Sequence, residues 1–121
     1  WAAQRYGAPK RFFERFFVHN YCPLCFMEDS GRNFTPDKLP ARERDALYAA
    51  CDLALQSVVQ YFQPVFVIGI GRWAESRIRA ALPDFSGRIG CIPHPSPASP
   101  AANQNWAAAA EEALRICGVS L

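Results

Sequence analysis

One stretch constrains the fold of this chain more than any other. Behind Pro64 comes Val65-Phe66-Val67-Ile68-Gly69-Ile70, an unbroken run without a polar side chain. A strand with one wet face alternates apolar and polar residues, whereas an uninterrupted β-branched run belongs to a strand covered on both faces, as in parallel sheets. Parallel neighbours need a crossover, and the sequence supplies one: Gly71 breaks the run, a helix is expected over Arg72–Leu82, and Arg88–Pro93 gives the next short apolar segment. Upstream, Leu47, Cys51, Leu55, Val58 and Phe62 recur at spacings of three and four, which predicts a helix over Ala41–Phe62 with one apolar stripe. Downstream, Trp106, Ala110, Ala113 and Cys117 mark one side of a helix over Asn103–Cys117, with Asn103 as its cap and Gly118 as its stop. The alternation defines an α/β fold, helices on both sides of a short central parallel sheet in three α/β/α layers.

The amino-terminal third is less regular. A short helical piece is expected over Trp1–Tyr6, ended by Gly7 and Pro9, then a second turn over Lys10–Glu14. Phe16-Phe17-Val18 reads as a short buried strand ending at His19-Asn20. A polar loop follows through Ser30-Gly31-Arg32-Asn33, and Thr35 is placed to cap a helical turn beginning at Pro36. Trp1 opens directly into patterned sequence, so the chain is expected to start inside a domain.

Composition narrows the function. The chain has 121 residues, enough for one compact domain, and 13 basic against 11 acidic side chains give a net charge of +2. That balance is not the strongly cationic surface of a non-specific nucleic-acid binder. No run of about 18 apolar residues and no signal-peptide pattern is present, so no membrane partner and an intracellular location are expected. Five cysteines, at 22, 25, 51, 91 and 117, make no paired extracellular framework and are expected as free thiols.

In an open parallel sheet, ligands bind beyond the carboxyl ends of the strands. The residues there are His19-Asn20, Gly71-Arg72 and His94-Pro95-Ser96-Pro97, a set that holds both histidines of the chain. Three prolines stiffen His94-Pro95-Ser96-Pro97-Ala98-Ser99-Pro100, holding the histidine and serine at low entropic cost. The segment reads equally as a Pro-rich connection between strand and helix. Gly69-Ile70-Gly71-Arg72-Trp73-Ala74 imitates a dinucleotide fingerprint, but such a site needs an acidic residue near the end of the next strand, which here ends in Pro93-His94. The amides at that helix start, with Arg72, suit a DNA phosphate, or the glycines serve close packing alone. Cys22-Pro23-Leu24-Cys25 is a CxxC without a second ligand pair, so no metal site is expected. Ser30-Gly31-Arg32 fits either a phosphate contact or a solvated turn, and Arg77, Arg79 and Arg88 read as a solvated face.

Three segments together resemble a known family. Phe17-Val18-His19-Asn20-Tyr21-Cys22-Pro23, Ser30-Gly31-Arg32-Asn33-Phe34-Thr35-Pro36 and the His94-Pro95-Ser96-Pro97 loop resemble the single-strand-selective monofunctional uracil-DNA glycosylases, in the family's order across nearly the whole chain. The resemblance implies the C-terminal part, 1–121, of a single uracil-DNA glycosylase-like domain, incomplete at its N-terminal side. It implies hydrolysis of the N-glycosidic bond of uracil or a related damaged base in DNA, leaving an abasic site, with no cofactor. His94 would be catalytic, donating a hydrogen bond to the uracil carbonyl oxygen where negative charge develops. Asn20 would read the base edge. Ser96, Pro97, Ala98 and Ser99 would form the wedge that enters the duplex, with Ser30, Gly31, Arg32, Gly71 and Arg72 as further DNA contacts.

Two departures qualify that expectation. Ala98 and Ser99 stand where the animal members carry an arginine and an asparagine, which weakens the wedge. The family's first motif, a Gly-Met-Asn-Pro-Gly-Pro-like loop that positions the attacking water, does not occur in these residues. The fragment alone is therefore expected to be inactive, its partners being DNA and the N-terminal half of the same domain, with a monomer when complete. Such a protein would sit in the cytoplasm of a bacterium or the nucleus of a eukaryote. A non-catalytic nucleic-acid or nucleotide-binding α/β domain is the alternative from another class.

Overall fold

The computed structural model describes residues 1–96 and 102–121, with only the backbone of 102–104. Two short helices, α1 (Ala2–Tyr6) and α2 (Pro9–Phe13), lead into an irregular segment and a 3-10 turn over Pro36–Lys38 with Thr35 at its N-cap position. Then come α3 (Ala41–Phe62), β1 (Phe66–Ile70), α4 (Arg72–Ala81), β2 (Arg88–Ile92) and α5 (Ala102–Ile116). β1 and β2 pair in parallel, Phe66 opposite Arg88 through Ile70 opposite Ile92, so the expected strand, helix, strand unit is present.

Pleat alternation assigns the contacts. Val67 and Ile89 point to the side where Leu55, Ile78, Ala81 and Leu82 of α3 and α4 make the core cluster. On the same side, a Cβ at Gly69 would stand 2.4 Å from the amide nitrogen of Glu75 and 2.8 Å from its Cα, so only glycine lets the first turns of α4 lie on β1. Gly90, one residue out of phase, faces the side chain of Cys117 and allows the end of α5 to approach. The chain is mixed α/β with a two-stranded parallel sheet. Its deepest residues are modest in size: Cys51, Leu55, Ile78, Ala81, Leu82, Ala110, Leu114 and Val119.

Helix ends follow local chemistry. Gly118, at φ 90°, closes α5: its N–H donates to Arg115 and that of Val119 to Leu114, the paired bonds of a Schellman cap. At the other end the backbone leaves helical geometry at Asn105, whose Oδ1 accepts the amide of Ala108 at 3.3 Å. Asn105 thus caps the main part of the helix, while the side chain of Asn103 lies outside the described residues.

One expectation is overturned. Phe16-Phe17-Val18 is not a strand: beyond Arg15 the backbone is irregular, and among the described residues it has no ladder partner. Apolar, β-prone residues become a strand only where a neighbour accepts their hydrogen bonds. Phe17 instead packs its ring on Phe62, centroids 4.4 Å apart.

α3 ends at Gln63 in left-handed geometry, φ 45°, just before Pro64. A side chain in that geometry costs about 1–2 kcal/mol. Gln63→Gly should therefore raise unfolding stability by roughly 0.5–1 kcal/mol, measurable as a higher thermal midpoint.

Candidate active site at the carboxyl end of the sheet

The parallel register brings two loops together. Because Ile70 and Ile92 are partners, the residues that follow them leave the sheet side by side, and the N–H of Gly71 donates to the carbonyl of Ile92 at 2.9 Å. Gly71 has φ 90°, and a Cβ there would be 3.4 Å from Cβ of His94. The positive φ therefore calls for glycine at the turn, while the space beside His94 would take a methyl group at ordinary contact distance.

His94 is held from both sides. The N–H of Ser96 donates to His94 Nδ1 at 3.1 Å. A nitrogen that accepts carries no proton, so this bond puts the ring proton on Nε2 and frees that N–H to donate. Behind the ring, the indole N–H of Trp106 donates to the carbonyl of Pro93 at 2.7 Å, tying the start of the loop to α5. Trp1 meets Trp106 edge to face and donates its own indole N–H to Glu111, so the first helix buttresses the same anchor.

Asn20 reaches the site from the irregular segment. Its carboxamide is exposed, with no hydrogen-bond partner among the described residues. What fixes the segment is the next residue. Tyr21 Oη donates to Asp52 Oδ1 at 2.6 Å, lies 3.2 Å from the carbonyl of Tyr48, and accepts from Arg77 Nε at 3.1 Å. Arg77 Nη2 closes the triangle on Asp52 Oδ2 at 2.5 Å, and its guanidinium lies over the rings of Tyr48 and Tyr21. Trp73 meets both tyrosines edge-on. Burial first, then the bond to Asp52, pushes the phenol of Tyr21 well above its ordinary range, so it stays a donor at any physiological pH.

His94 and Asn20 line one open cleft of about 1190 Å³, together with Phe17, Gly71, Arg72 and Ile92. Small-molecule pockets are commonly about 300–1,000 Å³, so there is room for a nucleobase and its sugar. Gly71 and Arg72 are on its wall. Ser96 sits at the rim through its bond to His94, whereas Pro97, Ala98 and Ser99 lie outside the described residues. Ser30, Gly31 and Arg32 are not in the cleft. They form the tip of a small hairpin closed by the Met27–Asn33 bridge, with Gly31 at φ 80°, and Arg32 is engaged by both oxygens of Glu28.

Reading the arginines as a solvated face is corrected for Arg77 alone, since Arg79 and Arg88 are exposed as expected. Arg77 is three-quarters covered in the Tyr21–Asp52 triangle, Arg79 pairs with Glu75, and Arg88 donates to the carbonyl of Cys117. Sequence reasoning also missed the anchoring by Trp106, because a helix-face aromatic carries no sign of where its N–H points. Among the described residues no cluster of three or more His, Cys, Asp or Glu is arranged to hold a metal, and no helix is long and apolar enough to cross a membrane. Cys22 lies against Cys51, whose thiol is pushed up by burial and then by its bond to Cys22.

The sequence is similar to those of named DNA glycosylases. No family model matches the chain. The chain is, however, 46% identical over 115 residues to the single-strand selective monofunctional uracil-DNA glycosylase of Rattus norvegicus and to that of Mus musculus, and 45% identical to that of Bos taurus. The likeness runs over 93% of the chain, and all three relatives carry the name single-strand selective monofunctional uracil-DNA glycosylase. It spans 41% of the length of the rat and mouse relatives and 42% of the bovine one.

Gly71→Ala should lower stability by about 1–3 kcal/mol, because φ 90° with ψ 157° is backbone that essentially only glycine adopts, and should disturb the turn beside His94. The check is a thermal melt together with the His94 ring resonances, which should shift even though residue 94 is unchanged. A second expectation concerns thiols. With its thiol pushed up, Cys51 is protonated at neutral pH, so iodoacetamide should modify exposed Cys25 well before buried Cys51. The folded state holds that proton more tightly, so the contribution to stability is full below the ordinary thiol range, about 8.5, and is lost at higher pH.

Proposed function

We propose that the chain is the C-terminal part, residues 1–121, of a single three-layer α/β/α uracil-DNA glycosylase domain that removes uracil or a related damaged base from DNA by hydrolysis. The observation that carries this reading is that His94 and Asn20 both line one cleft at the carboxyl end of a parallel sheet. The relatives' names as uracil-DNA glycosylases support the chemistry. The partner half of the domain is supported by exposed apolar side chains beside the sheet, with Phe17 at 59%, Val18 at 55% and Val65 at 66% exposure.

In this reading the damaged nucleotide is turned out of the stack, at a cost of a few kcal/mol that is lowest for unpaired bases. Water adds to the anomeric carbon of the deoxyribose, the bond from that carbon to the base nitrogen breaks, and the electron pair leaves with the base. Negative charge gathers on the base carbonyl oxygens. Nε2–H of His94 donates to one of them, and because the ring is already held by the Ser96 amide, with the preceding Pro93 carbonyl tied to Trp106, it need not reorganise as the charge develops. The carboxamide of Asn20 offers a donor and an acceptor to the base edge, a pattern uracil matches and the amino group of cytosine does not. The loop from Ser96 through Pro97, Ala98 and Ser99 enters the strand from which the base has left. Arg72 and the amides near Gly71 take a flanking phosphate, and Ser30, Gly31 and Arg32 touch the backbone farther out. The water-positioning loop belongs to the partner half. No cofactor has a role.

The test uses the full-length polypeptide that carries this chain and an end-labelled single-stranded oligonucleotide with one uracil, followed by alkali. Scission at the uracil is expected, and an intact strand contradicts the reading. His94→Ala should slow excision by about 10²–10³-fold with DNA affinity nearly unchanged. Asn20→Asp should chiefly alter which base is accepted. The isolated 121 residues should leave the strand intact.

A further inference from the structure

From Phe17 to Cys25 the chain has neither helix nor strand, and among the described residues no backbone group of this segment is hydrogen-bonded. Among the described residues its backbone is placed by side chains. Tyr21 carries the hydrogen bonds, to Asp52 of α3 and Arg77 of α4, with the thiol of Cys22 resting on Cys51 beside it. Asn20 is one residue from that anchor, and its own carboxamide has no protein partner among the described residues. A carboxamide that must meet a base within a few tenths of an ångström gains its precision from the backbone that carries it.

We propose that Arg77 and Asp52 act through Tyr21 as positioning residues that aim the carboxamide of Asn20 at the base. This rests on the reading of Asn20 as the base reader. The geometry favours aiming over simple attachment. Ring packing on Trp73 and Tyr48 already attaches Tyr21, at centroid distances of 5.4 and 6.0 Å. The polar triangle adds direction: Tyr21 Oη meets one carboxylate oxygen, Arg77 meets the other and also Tyr21 Oη, so the phenol can neither slide along nor rotate on the helices. Arg77 suits this work because its planar fork serves two acceptors while its face stacks on both tyrosines. Lysine has no planar fork and no flat face to stack.

The experiment is a double-mutant cycle in the full-length polypeptide, read as single-turnover excision of uracil, DNA affinity and thermal midpoint. Tyr21→Phe keeps the ring and removes only the hydroxyl. It should slow excision about tenfold with DNA affinity within about twofold, since the lost contact is made in the transition state. In the Asn20→Ala background the same change should cost less than about twofold, because there is no carboxamide left to aim. Asp52→Asn, of equal size, should behave likewise and stands in should Tyr21→Phe not fold. Arg77→Lys should not restore the rate.

A tenfold loss that persists without the Asn20 carboxamide would show that the triangle acts through the fold at large, and would overturn the proposal. Full activity of both Tyr21→Phe and Asp52→Asn would overturn it too. Normal excision by Asn20→Ala would instead remove the base-reading role, and the proposal with it. That failure is recognised because it appears in the Asn20 arm alone.

Discussion

Parallel pairing of β1 with β2 is the constraint from which the rest of the molecule follows. Its register makes Ile70 and Ile92 partners, and so delivers Gly71 and His94 to the same edge. Two glycines make this possible without side chains in the way. Gly69 lets α4 begin directly on the strand, and Gly71, at φ 90°, turns the backbone away from it. A Cβ at Gly69 would collide with the backbone of Glu75, which no rotamer change can relieve. The imitation of a dinucleotide fingerprint is thus explained by packing: the same closeness of strand and helix that cofactor folds need is used here to place a histidine.

Around that edge the chain assembles its site from three sources with different rigidity. His94 is fixed by its neighbours Pro93 and Pro95 and by hydrogen bonds to Nδ1 and to the Pro93 carbonyl. The start of α4 is fixed by the sheet. The Asn20 segment has no backbone hydrogen bond among the described residues, and it is held by an ion pair and a phenol set among aromatic rings. A charge pair in a partly dry setting is tolerable because every oxygen of Asp52 has a donor and the guanidinium has both carboxylate and π partners.

Much of this was legible in the sequence because apolar periodicity reports burial directly. β1, α4, β2 and the stripe of α3 lie within a residue or two of their expected bounds, and Cys51 and Leu55 on that stripe are buried. Gly118 ends α5 as its conformational freedom foretells. The segment Phe16-Phe17-Val18 misled because a strand is a property of a pair of chains, and nothing in three apolar residues says whether a partner is there. Arg77 misled for a related reason: charge on a helix reads as solvent-facing unless the acid it meets, 25 positions away at Asp52, is known. The cleft residues His94 and Asn20 were legible through family resemblance, whereas Tyr21, Asp52 and Trp106 are revealed only by three-dimensional contact.

The central claim is that the imidazole and the carboxamide address the same extruded base. The most direct measurement is a crystal structure of the full-length polypeptide with single-stranded DNA carrying 2′-fluoro-deoxyuridine, whose glycosidic bond resists cleavage. The account predicts the uracil in the cleft with Nε2 of His94 at a carbonyl oxygen and the Asn20 side chain on the base edge, both within hydrogen-bond distance. A uracil bound on another face, or held by one of these groups with the other turned away, would contradict it.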